Sequence, residues 1–260
     1  MTATEPILPK SSPGWEGGPS AGWWRGLASG RSLAGVEAQP VRQPPRLVAG
    51  EVRHAELFGA SSDAAGAALA LAFARDQMEQ DQRPWLWVQD AAALKRSGRP
   101  YRPGLPPELR YRLLHVAAKT PEDALFALEE GLRCRDLAFV LGEIAGNPSA
   151  LSFTASRRLS LVAEQHGVPL WLVRLDAARE LSSARQRWQV DAAPSSPPRW
   201  NPAAPGAPAW HAELFRARSH PPGHWILRDD GSAQLAAEWA AAPDHGDLDD
   251  AAGGRSLAAG

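Results

Sequence analysis

The pattern of the sequence predicts an α/β fold: a mostly parallel central sheet flanked by helices and ending in antiparallel strands. Three observations lead there. Short apolar runs alternate with helix-patterned segments from residue 53 onward, the run Leu137–Leu141 is apolar without a break, and the helical pattern stops after residue 175. Alternation of this kind is the mark of βαβ units, and a strand covered by helices on both faces has no polar side to show.

The elements follow in order. His54–Phe58 reads as a first strand closed by Gly59, and Ser61, Ser62 and Asp63 offer capping oxygens to an alanine-rich helix reaching about Met78. Trp85–Gln89 reads as the second strand, followed by a stretch broken by Pro100, Pro103, Pro106 and Pro107, and then a strand in Arg112–Val116. Thr120, Pro121 and Asp123 open a helix with Leu125, Leu128 and Leu132 on one face, ending near Cys134. After Leu137–Leu141, Asn147-Pro148 starts a helix that stops at Gly167, and Pro169–Leu175 forms the next strand. Gln186–Val190, Trp210–Ala217 and His224–Arg228 read as strands without intervening helices, hence as antiparallel neighbours.

Composition divides the chain into three parts. Residues 1–50 hold 7 Pro and 8 Gly, whereas the 143 residues 51–193 hold 8 of each, so a flexible arm precedes a folded body at 51–228. Trp15, Trp23 and Trp24 in the arm offer a short docking motif, or belong to a leader with no specific contact. Residues 194–208 carry six prolines and form an exposed connector within the body. Residues 229–250 carry seven carboxylates and no Lys or Arg, which makes 229–260 an acidic tail expected to be disordered. With 28 Lys+Arg against 29 Asp+Glu, the chain is not a general polyanion binder. Eleven tryptophans hint at interfaces. Cys134 stands alone, which excludes an internal disulfide and a multi-cysteine zinc site, and reads as a buried, inert thiol. No apolar stretch approaches the roughly 18 residues of a membrane span, and MTATEPILPK lacks a charged n-region before an apolar run, so the expected address is the cytoplasm.

The turn after the first strand is where a P-loop enzyme would grip its nucleotide. That grip needs G-x-x-x-x-G-K-[ST]: glycines admit backbone N–H groups to the phosphates, lysine neutralises them, and a hydroxyl holds magnesium. Counting from Gly59, the second glycine is replaced by Ala64, the lysine by Ala65 and the hydroxyl by Gly66, while Asp63 places a negative charge where polyphosphate would lie. None of the three lysines, Lys10, Lys95 and Lys119, follows a glycine. The magnesium-site aspartate is missing too. Leu141 is followed by Gly142 and then Glu143, one residue out of register, which points the Glu143 side chain to the opposite face and suits a capped strand end. Without these charges, hydrolysis of a triphosphate has no donors for transition-state stabilisation. The expectation is a protein that is not an enzyme and takes no cofactor or metal.

The order of elements, from HAELFGASSD through WLWVQD, RLLHV, TPEDALFALEEGLRC, LAFVLGEI and VPLWLVRL to the terminal strands, resembles the RecA core. The segments Leu86–Asp90, Gly98–Leu105, Ala127–Arg135 and Glu213–Arg218 more closely resemble ImuA, a bacterial family often labelled SulA-like. The resemblance covers about residues 53–228. It implies a RecA-like domain with a degenerate nucleotide site, acting in the SOS response to DNA damage as an accessory of translesion synthesis. The implied partners are an ImuB-like Y-family polymerase homologue and an error-prone replicative-type polymerase, with RecA as a further one. It carries over no catalytic residue.

Two other roles stay open: a DNA-binding or recombinase-filament modulator, and a cell-division inhibitor suggested only by the SulA-like label. Between Arg174 and Arg218 seven arginines face four acids, a surface for weak DNA contact, for an acidic partner, or for solvent. Arg174, Arg185, Arg187, Arg216 and Arg218 are the candidate contacts, and Arg185 with Arg187, one residue apart at a strand start, share a face and are the best phosphate candidates. Arg157 and Arg158 on the preceding helix point in different directions. His220 and His224 are separated by Pro-Pro-Gly, which forbids the helix that would make their spacing a metal pair.

Overall fold

The computed structural model describes residues 53–78, 81–229 and 235–239. The arm, with Trp15, Trp23 and Trp24, lies outside the described residues, as does most of the acidic tail. The strands are β1 (His54–Gly59), β2 (Trp85–Gln89), β3 (Leu113–Ala117), β4 (Val140–Ala145), β5 (Leu170–Leu175), β6 (Gln186–Ala192), β7 (Ala209–Ala217), β8 (Gly223–Arg228) and β9 (Ala236–Trp239). The helices are α1 (Ala65–Met78), α2 (Ala91–Ser97), α3 (Pro107–Arg110), α4 (Pro121–Arg133) and α5 (Phe153–His166). One nine-stranded sheet runs in the order β3-β2-β4-β5-β1-β6-β7-β8-β9. Strands β1 to β6 are parallel, and β7, β8 and β9 are added antiparallel. The α/β class and the antiparallel ending match the expectation.

The two faces are packed by opposite strategies. On one, α1 contributes small side chains such as Ala67, Ala70 and Ala74, and the sheet contributes volume through Trp85, Trp87, Trp171 and Trp188. Phe73 of α1 stacks on Trp171 at 5.6 Å between ring centroids, and Trp85 stacks on Phe139 at 4.9 Å. On the other face, Leu125, Leu128 and Leu132 of α4 and Leu159 and Val162 of α5 meet Leu86, Val140 and Leu172. On the first face the large side chains of the sheet fill the space that the small side chains of α1 leave, and on the second branched aliphatic side chains meet their like. The tryptophans that hinted at interfaces are mostly core: Trp85, Trp87, Trp171, Trp188, Trp210 and Trp225 are buried, and Trp200 is exposed.

Local chemistry explains most boundaries. Thr120 Oγ1 accepts the Asp123 N–H at 3.1 Å with Pro121 at the first helical position, so α4 starts where expected. Gly167 closes α5 in the left-handed conformation at φ 74°. Four expectations are corrected. α5 begins after Ser152, not at Asn147, because the Asn147 side chain bonds the backbone of Ala178 instead of capping a helix. β4 runs Val140–Ala145 rather than Leu137–Leu141; Gly142 lets Leu128 and Leu172 close over it, each within 2.9 Å of where a Cβ would sit. Cys134 is exposed, because α4 ends before it and the chain turns outward. The tail supplies a ninth strand, Ala236–Trp239, paired with β8 and tied to it by Arg228 and Glu238 at 2.9 Å. The proline-rich connector lies between β6 and β7 and is mostly exposed. Among the described residues, no helix is long and apolar enough to cross a membrane.

Candidate functional site: a bridged turn after the first strand

The segment Gly59–Gly66 joins β1 to α1 at the carboxyl ends of the parallel strands, the edge where open α/β sheets take ligands. Its glycines serve packing. A Cβ on Gly66 would lie 3.0 Å from Val173 Cγ1, and one on Gly59 would lie 3.3 Å from the Val190 carbonyl oxygen. Ala65, at the lysine position, is buried against the sheet. Asp63 Oδ1 accepts the Ala65 N–H at 2.8 Å, so this acid caps α1 from within the turn.

A second acid completes the bridge. Asp176, just after β5, adopts the left-handed conformation at φ 50° and donates its N–H to the Gly59 carbonyl at 3.0 Å. Its Oδ1 accepts the Ser61 N–H at 2.9 Å and its Oδ2 meets Arg96 at 2.5 Å. The hydrogen bond from Ser61, helped by the Arg96 guanidinium, holds this carboxyl below the usual aspartate range. Asp176 thus ties the turn after β1 to the end of β5 and to Arg96. Arg96 comes from α2, a helix the sequence reading placed inside the proline-broken stretch and therefore missed. Its signal was Asp90, which caps α2 by accepting the Ala93 N–H at 2.6 Å.

Beside the bridge lies a cavity of about 420 Å³, bounded by Ser62, Trp87, Arg99 and Tyr101 and floored by Glu143. The Glu143 side chain faces this cavity, on the same side of the sheet as Leu141 and Trp87, rather than the opposite face. The reason is the length of β4: Glu143 sits inside the strand, level with Gln89 of β2 and Val173 of β5. Gln89 Nε2 donates to Glu143 Oε2 at 2.5 Å and Trp87 Nε1 does so at 3.3 Å, while Gln89 Oε1 meets His115 Nε2 at 2.9 Å. Burial raises the Glu143 carboxyl above its ordinary range, and burial followed by the charges of Arg99 and Arg102 lowers His115. Glu143 is therefore a bonded floor to the cavity. Among the described residues, no group of three or more His, Cys, Asp or Glu could hold a metal ion.

The five arginines named from the sequence separate into two sets. Arg174 and Arg187 are buried around Glu56, which is fully enclosed. Arg187 Nε reaches Glu56 Oε2 at 2.7 Å, Arg174 stands 4.0 Å from Oε1, and Ser182 Oγ donates to Oε1 at 2.7 Å. Both guanidinium groups lie over Phe58, at 5.6 and 5.0 Å from the ring centroid. This corrects the reading of Arg187 as a phosphate contact: β6 turns it inward, where it neutralises a core carboxylate. Arg185, at the surface, pairs with Glu164 of α5, its Nε at 2.8 Å from Oε1. Arg216 and Arg218 are exposed near the end of β7. Arg157 joins them along one groove, while Arg158 turns away to Glu129 at 2.5 Å.

No protein-family model matches this chain, and no curated protein does.

Proposed function

We propose that this chain is a RecA-like protein of the ImuA type that has exchanged nucleotide chemistry for recruitment, acting as a non-catalytic scaffold in DNA-damage-induced translesion synthesis. The observation that carries the reading is the bridged turn: alanine stands at the lysine position, and Asp176, itself paired with Arg96, accepts from the Ser61 N–H that a phosphate would need. The order of elements that prompted the resemblance supports it further, since β5 lies between β1 and β4 and brings Asp176 to the turn after β1. The reading assigns the cavity above Glu143 no nucleotide and leaves the outer surfaces for an ImuB-like protein and an error-prone polymerase. The direct-DNA alternative retains Arg185, Arg216 and Arg218 as its contacts and loses Arg174 and Arg187.

Two measurements test it together. Titration with magnesium-ATP should give no heat at millimolar nucleotide, and co-expression with an ImuB-like protein should give a complex that survives gel filtration. Micromolar nucleotide binding, or separate elution of the two proteins, would overturn the proposal.

A further inference from the structure

Glu143 is an acid that no cation answers among the described residues. It is 2% exposed at the floor of the cavity beside the bridged turn, whose volume of about 420 Å³ lies within the range of small-ligand sites. Gln89 and Trp87 both donate to Oε2, with Ser97 in support, and these neutral donors leave open part of the roughly four acceptor positions of a carboxylate. The charge acting on Glu143 is of like sign. Asp90 donates its N–H to the Glu143 carbonyl at 3.1 Å and raises the Glu143 carboxyl further after burial has done so. Asp90 Oδ1 caps α2, while Oδ2 is buried with no hydrogen-bond partner among the described residues. A third acid, Asp63, lines the wall of the cavity. Enclosing carboxyls in this way is unfavourable unless a positive group meets them.

Among the described residues no three His, Cys, Asp or Glu stand so as to hold a metal ion, and the cation this floor calls for is an organic one. The rest of the lining gives its shape. Trp87 forms part of the wall, and Tyr101, 74% exposed, stands at the mouth. Aromatic faces favour flat, delocalised cations, and a guanidinium meets a carboxylate through two parallel N–H···O bonds. The lining also carries two arginines. Arg96 is committed to Asp176 at 2.5 Å, whereas Arg99 is exposed and meets no carboxylate among the described residues. A buried acid at the floor and a free guanidinium at the rim suit a ligand of opposite polarity. We infer that this cavity takes a small dipolar ligand of the arginine type, its guanidinium on Glu143 against Trp87 and Tyr101 and its carboxylate on Arg99. The inference goes beyond the scaffold reading and does not rest on it, and the nucleotide and complex measurements above report on that reading alone.

The test titrates the full chain with L-arginine, with L-citrulline, which keeps the shape without the charge, and with agmatine, which lacks the carboxylate. L-Arginine should give a saturable heat, L-citrulline should bind at least about tenfold more weakly, and agmatine should fall between them. Glu143→Gln keeps an acceptor for Gln89 and Trp87 and should weaken L-arginine binding at least about tenfold with no fall in thermal melting. Arg99→Ala should bring L-arginine down to the level of agmatine and leave agmatine unchanged. No saturable heat from L-arginine at millimolar concentration would overturn the inference. So would L-citrulline binding as tightly as L-arginine, or a Glu143→Gln chain binding L-arginine as the unaltered chain does. Agmatine and L-arginine binding alike, with Arg99→Ala without effect, would remove the carboxylate contact and with it the dipolar ligand.

Discussion

Replacing Arg187 with alanine should destabilise the body by about 3 kcal/mol, at the lower end of the range for breaking a buried ion pair. Arg187 Nε lies 2.7 Å from Glu56 Oε2, and both side chains are almost wholly enclosed. Alanine would leave the Glu56 carboxylate in the core with the Ser182 hydroxyl at 2.7 Å and Arg174 only at 4.0 Å. Those partners soften the loss but do not neutralise the charge at contact. The guanidinium also lies 5.0 Å from the Phe58 ring centroid and 5.3 Å from that of Phe215, contacts that vanish with it. Urea unfolding at pH 7 followed by far-ultraviolet circular dichroism measures the difference, and the melting temperature should fall by roughly 6 to 12 °C for a body of this size. Changing both partners, Glu56→Gln with Arg187→Gln, should cost less than Arg187→Ala alone, because the carboxylate is no longer stranded and Arg174 keeps its hydrogen bond to the Gly146 carbonyl. A loss below about 1 kcal/mol for Arg187→Ala would refute the argument, as would a double variant costing more than the single one. An Arg185→Ala/Arg187→Ala chain that fails to bind DNA would accordingly report on folding before it reported on contact.

Two further predictions concern titration. His54 is buried with Nδ1 2.7 Å from Ser160 Oγ, and burial, opposed by Glu56 and aided by Arg187, lowers its pKa to about 4. The unfolded chain takes this proton near 6.5 and the folded one near 4, so stability should fall as pH drops through that window, by on the order of 3 kcal/mol in all; unfolding free energies at pH 7, 5.5 and 4.5 should decline more steeply for the unaltered protein than for His54→Gln, and parallel declines would refute the assignment. Glu143 has the opposite sign, since burial raises its pKa and its ionisation in the fold is disfavoured as pH rises. Glu143→Gln keeps an acceptor for Gln89 and Trp87 and should be neutral or stabilising in urea at pH 8, whereas Glu143→Ala should cost about 1 to 3 kcal/mol by stranding the two donors; equal effects of the two substitutions would remove the bonded-floor account.

What the sequence determined by itself was whatever depends on residues close together along the chain. The strand–helix alternation, the Thr120 cap of α4, the Gly167 stop of α5 and the absence of a lysine after Gly59 were all legible within a few positions. These signals arise from period, capping and composition, which neighbours along the chain settle among themselves. Tertiary structure decided the rest. Asp176 meets Ser61 across 115 positions, and Arg187 meets Glu56 across 131, because β1 lies between β5 and β6. Glu143 faces the cavity because β4 continues past Gly142, where Leu128 and Leu172 pack into the space a Cβ would fill. Whether a charged side chain is buried, bridged or left to solvent depends on which strands become neighbours, and that pairing is a property of the whole sheet.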